Sequence, residues 1–169
     1  MFHELVHKSL NQQLNRELQA WYEYLGMASW CSRQELHGCE KWLRVQSQEE
    51  YTHAMKLYQF LTDRNLKVTL MELKAPRVDF GNIVEIFEAA LHQEEENTRS
   101  IHEIFDLALQ QKSFASVVEL QWFITEQVEE MRVARENLVK ARMVGDDGGA
   151  TLEFDRNLGE CQTPKEPTV

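Results

Sequence analysis

The stretch LRVQSQEEYTHAMKLYQF, residues 43–60, decides the architecture of this chain. Within it Leu43, Gln46, Glu50, His53, Leu57 and Phe60 follow one another three and four residues apart. That alternation keeps one face of a helix turned towards its partners. A seam of this kind is normally aliphatic, yet its middle carries a carboxylate and an imidazole one turn apart. Desolvating a carboxylate costs several kcal/mol unless a cation or hydrogen-bond donors stand beside it. The segment therefore predicts a helix whose inward face meets a charge.

The same pattern recurs three times. Before it runs Leu10, Leu14, Glu17, Trp21, Tyr24, Ala28 and Cys31. After it come Ile83, Phe87, Ala90, Glu94, Asn97, Ile101, Ile104 and Ala108, and then Leu120, Phe123, Gln127, Glu130, Ala134, Asn137 and Ala141. Each seam is interrupted near its middle by a metal-ligand type of side chain. Four carboxylates, Glu17, Glu50, Glu94 and Glu130, with His53 beside Glu50, would repel one another if they met around nothing. A bound cation resolves that conflict. Oxygen donors with a single imidazole and no cysteine favour iron or manganese over a structural zinc site.

Helix limits follow from breakers. The first helix is expected over about Leu5–Arg33, with a tight turn at Gln34–Gly38 leading into the second, which ends near Asp63–Asn65. Helices joined so briefly lie antiparallel. From Leu66 to Gly81 the periodicity fails, leaving a connection long enough to run the length of the bundle. The third helix spans about Ile83–Gln110 and the fourth about Phe114–Val144. After the glycine-rich break at residues 145–149, a short fifth helix is expected over Ala150–Leu158, burying Leu152 and Phe154. The fold class is thus all-α, an antiparallel four-helix bundle with one long crossover. Residues 1–161 are read as one domain and residues 162–169, which hold two prolines, as a disordered tail.

Composition agrees. Only 7 Gly and 3 Pro in 169 residues suit long helices. The formal net charge of −10 argues against nucleic acid as a partner and for a surface that attracts cations. No segment reaches the roughly 20 apolar residues that span a membrane. Residues 1–10 lack the apolar core of a signal peptide, so a cytoplasmic location is expected. Cys31, Cys39 and Cys161 form neither a paired framework nor a Cys-x-x-Cys motif, which fits a reducing compartment.

Taken together, NRELQAWYEYLGMASWC on the first helix, LRVQSQEEYTHAMKLYQFLTDR on the second, Glu94 on the third and LQWFITEQVEEM on the fourth resemble the ferritin family, most closely its non-haem bacterial branch. The ferritin-like bundle is the established setting for inward-pointing di-iron carboxylates. The resemblance implies a subunit of a hollow shell of twenty-four chains that oxidises Fe(II) with O2 or H2O2 and stores the product as a ferric mineral. It assigns Glu17, Glu50 and His53 to a first iron site and Glu50, Glu94 and Glu130 to a second, with Glu50 bridging. It places Gln127 as a neighbouring amide and Tyr24 as the tyrosine beside the centre. Glu49, Glu126 and Glu129, with Glu130 shared, match a third iron site. Haem is not expected, because Tyr51 stands where a haem-binding relative carries methionine.

Two other readings compete. A di-iron oxidase of organic substrates would be expected to carry a second Glu-x-x-His where this chain has Gln127-x-x-Glu130. A shell subunit that mineralises iron without oxidising it is disfavoured by the complete ligand set. Trp21 and Trp122 are expected to pack around the centre, and Trp30 and Trp42 to face a neighbouring subunit. The other histidines, His3, His7, His37, His92 and His102, are expected to serve as surface residues.

Overall fold

The computed structural model describes residues 3–145 and 147–160. The described residues form α1 (Glu4–Arg33), α2 (His37–Asp63), α3 (Ile83–Gln110), α4 (Phe114–Val144) and α5 (Gly148–Glu160). None of these helices is long and apolar enough to cross a membrane.

Two apolar clusters lie at opposite ends of the bundle. One joins Tyr24, Cys31, Trp42, Leu43, Phe87, Ala90, Leu138 and Phe154; the other joins Val6, Leu14, Leu57, Ile101, Leu120 and Phe123. Followed along the chain, α1 leads from the second cluster to the first and α2 returns. The crossover then carries the chain back to the first cluster, so α3 runs to the second cluster and α4 returns to the first. Between the clusters every one of the four long helices turns polar side chains inward. The polar waist is the site.

The crossover lies along α1 as an extended strand would lie along a sheet edge. Side-chain amides one helical turn apart replace the missing partner. Asn11 donates to the Lys67 carbonyl and accepts from the Thr69 N–H, and Asn15 repeats this with Thr69 and Met71. Gln19 does so with both backbone groups of Lys74. His7 also meets the Lys67 carbonyl at 2.7 Å, so it contributes to this seam.

The second helix begins against α5. An alanine Cβ at Gly38 would fall 1.8 Å from the Asp155 carbonyl, and Gly159 packs on the Gly38 Cα. Asp155 accepts from the Cys39 N–H at 2.7 Å and so caps α2 from another element. Gly38 is thus a packing glycine, while the left-handed residue of the turn is Glu35, at φ 59°. The fifth helix starts two residues before, and ends two residues beyond, the range expected from sequence. It buries Phe154 and Leu158 and leaves Leu152 exposed. Trp30 and Trp42 are buried in the core, the latter 5.7 Å from Phe87, and do not face outward. The expected tail at residues 162–169 lies outside the described residues, as does Cys161.

Candidate metal centre

The inward seams predicted from spacing are nearly all buried; only Trp21 and Phe60 are half-exposed. Glu17 on α1, Glu50 and His53 on α2, Glu94 on α3, and Gln127 and Glu130 on α4 are each at most 6% exposed. Glu17, Glu50 and His53 each offer one ligand atom, and these atoms lie within 4.8 Å of one another. Bond lengths of about 2.0–2.5 Å to N and O let a single ion reach all three after small side-chain rotations. The Nδ1 of His53 stands 3.7 Å from Glu50 and 4.0 Å from Glu17.

Glu50 occupies the middle of the group. Its carboxyl is within hydrogen-bonding reach of Glu17 on one side and of Glu94 on the other. Its Oε2 is buried and accepts no hydrogen bond among the described residues. Burial, and after it the charges of Glu94 and Glu17, push this carboxyl well above the ordinary carboxylate range. Burial lifts Glu94 to about 7, although hydrogen bonds from Tyr24 and Gln127 pull the other way. Two carboxyls that ionise reluctantly when the centre is empty are what a cation would recruit.

The remaining donors orient the ligand-type groups. The Tyr24 hydroxyl donates to Glu94 Oε1 at 2.7 Å, and burial followed by the Glu94 and Glu50 charges raises its phenol, which keeps it a donor. Gln127 Nε2 donates to Glu94 Oε2 at 3.2 Å and to the Thr98 hydroxyl at 3.0 Å. Trp122 meets the His53 ring edge-on at 5.3 Å, and Phe123 meets the same ring edge-on at 6.1 Å, so aromatic rings cover that side of the imidazole. The half-exposed Trp21 ring packs on Tyr22 and Tyr51.

Glu49, Glu126 and Glu129 are half-buried. Glu49 and Glu129 join Glu130 in lining a cleft of about 400 Å³ between α2, α4 and α5. Glu126 lies one turn back on α4 and is not part of that lining. Spacing did not single out Gln13, which is fully buried and bonds to Glu17. Its signal was present as a glutamine one turn before the first carboxylate.

Residues 7–144 match the sequence model of the Ferritin-like domain. The bacterial non-heme ferritin of Staphylococcus aureus strain USA300 is 33% identical over 152 residues, covering 90% of this chain and 92% of that protein. Its Staphylococcus epidermidis counterpart is 32% identical over 150 residues, covering 89% and 90%. Among solved structures, the open-pore ferritin of the hyperthermophilic archaeon Archaeoglobus fulgidus superposes with a TM-score of 0.93. It is 37% identical, covering 96% of this chain and all of that one. Five helices in this order, a polar waist of carboxylates and these likenesses over nine-tenths of its length make the chain a member of the ferritin family.

Proposed function

We propose that the chain is an iron-storage subunit that oxidises Fe(II) at the polar waist and delivers Fe(III) to a mineral inside a shell. The observation that carries this reading is the position of Glu50, buried with an unpartnered oxygen and within reach of both Glu17 and Glu94. A carboxylate so placed bridges two ions. Glu17, Glu50 and His53 hold the first Fe(II), and Glu50, Glu94 and Glu130 hold the second.

Two adjacent Fe(II) ions each release one electron. O2 takes both, with two protons, to become H2O2; alternatively H2O2 takes both, with two protons, to become two water molecules. Hard anionic oxygens stabilise Fe(III) over Fe(II), so the ligand set favours the oxidised pair. With Gln127-x-x-Glu130 in place of a second Glu-x-x-His, Glu130 stands where the imidazole would be, so the second ion is held by carboxylates and exchanges readily, as passage to storage requires. Tyr24 holds Glu94 in register. The third site, of Glu49, Glu126, Glu129 and Glu130, takes iron between the centre and the interior, and the acidic cleft beside Glu130 supports it.

The working form is a shell of twenty-four chains in the cytoplasm, without haem. Exposed Phe114, Val118, Val128 and Met143 along α4, with Leu70 and Met71 on the crossover, supply apolar surface for subunit contacts. The test is stopped-flow absorbance after mixing metal-free protein with two Fe(II) per chain in aerated buffer. Wild type gives a fast rise, and His53→Ala, which removes a ligand outright, loses it. Equal rates in the two proteins would remove the oxidation centre from this location.

A further inference from the structure

Glu17 is gripped differently from Glu50. It is fully buried, and both of its oxygens accept hydrogen bonds from side-chain amides. Gln13 Nε2 donates to Oε1 at 2.7 Å, and Asn97 Nδ2 donates to Oε2 at 3.2 Å. Gln13 Nε2 spends its other hydrogen on Asn97 Oδ1 at 2.5 Å, which closes a ring of three side chains. The Ser100 hydroxyl donates to Gln13 Oε1 at 2.7 Å and so fixes which end of that amide faces the carboxylate. Gln13 and Asn97 are at most 2% exposed. Turning either amide over would aim a carbonyl oxygen at a carboxylate oxygen, so the ring has one orientation.

Glu94 is held in a similar way, by Tyr24 on one oxygen and Gln127 on the other. The two outer carboxylates are clamped, whereas the Oε2 of the middle one is not. We infer that Gln13 and Asn97, braced by Ser100, are positioning residues that hold Glu17 in its metal-binding rotamer. The first ion therefore enters a half-built site, and Glu50 is the ligand that moves to meet it. This inference rests on the reading that Glu17 and His53 share an iron ion. A ligand fixed in advance loses little freedom when the ion arrives, and removing such outer partners typically weakens metal binding about 10–100-fold.

The ring also ties α1 to α3, so a purely structural role must be separated from a positioning role. Anaerobic calorimetric titration with Zn²⁺, which has no redox chemistry, separates them when run on wild type, Gln13→Met, Asn97→Leu and Ser100→Ala. Thermal melts of the metal-free proteins run alongside. Wild type is expected to bind a first ion more tightly than a second. Gln13→Met and Asn97→Leu are expected to lose about tenfold or more in the first affinity while the second stays within about twofold. Ser100→Ala, the mildest change, loses less in the same direction. Unchanged first-ion affinity in the variants that fold, Ser100→Ala included, would overturn the positioning role and leave the ring as a structural tie. Wild type that binds no pair of ions would sink the two-ion reading, and this inference with it, a result distinct from a failure seen in the variants alone.

Discussion

Glu94 shows what burial does to a carboxyl at the polar waist. Burial raises its carboxyl from 4.5 to about 7, and Glu50 moves in the same direction. For an acid raised in the folded state, the unfolded chain ionises first as pH climbs. The associated stability is therefore complete below about 4.5 and is lost as pH rises through about 7. A shift of that size corresponds to roughly 3 kcal/mol for Glu94. Metal-free protein should accordingly melt at lower temperature at pH 8 than at pH 5.5, and a divalent ion should restore the loss at pH 8. A melting point that rose with pH in the absence of metal would contradict the burial of these carboxyls. The inward places of Glu17, Glu50, His53, Glu94 and Glu130 were legible because ligand-type residues recur at the spacing of largely apolar seams. Gln13 was not, since it lies beside the α1 seam and its partners Asn97 and Ser100 come from α3, far away in sequence.

The helices end in a shared way that the sequence concealed. After α1, α2 and α3 the chain takes a left-handed residue, Glu35, Asn65 and Lys112, and the following N–H reaches back across the last turn: Leu36 to Cys31, Leu66 to Leu61 and Ser113 to Ala108. This is the closure usually made with glycine. Helix limits were readable to within a residue or two for α1, α3 and α4, because periodicity fails at the closures after α1 and α3 and at the glycine-rich break after α4. What spacing could not show was the face α5 covers: Phe154 and Leu158, one turn apart, are the buried pair, and they pack over the end where Trp42 lies. Lys112 makes no hydrogen bond that depends on its side chain among the described residues, so Lys112→Gly relieves the φ of 53° at little cost. The variant should gain about 1 kcal/mol, read as a shift in the denaturant midpoint. A loss of stability would show that the Lys112 side chain contributes more than its backbone conformation costs.

Across the bundle, two apolar ends flank one polar waist, and the ends hold the waist in place. That division is legible in the seams of the sequence, but the crossover's path is not. Asn11, Asn15 and Gln19 lie off the α1 seam, and an amide every fourth residue reads as ordinary surface until an extended segment lies against it. Apolar residues of α4 and the crossover, Val118 and Val128 among them, stay exposed in the single chain. Sedimentation velocity should find a closed particle of about twenty-four chains, and Val118→Arg should shift material towards smaller species. A wild-type protein sedimenting as a single chain would contradict the shell.

The central claim is that two iron ions share Glu50 within one chain. The most direct measurement is a crystal soaked anaerobically in Fe(II), with anomalous diffraction recorded at the iron edge. Two peaks per chain are predicted, one among Glu17, Glu50 and His53 and one among Glu50, Glu94 and Glu130. Iron found only at surface carboxylates, or a single peak that leaves Glu50 untouched, would contradict the account.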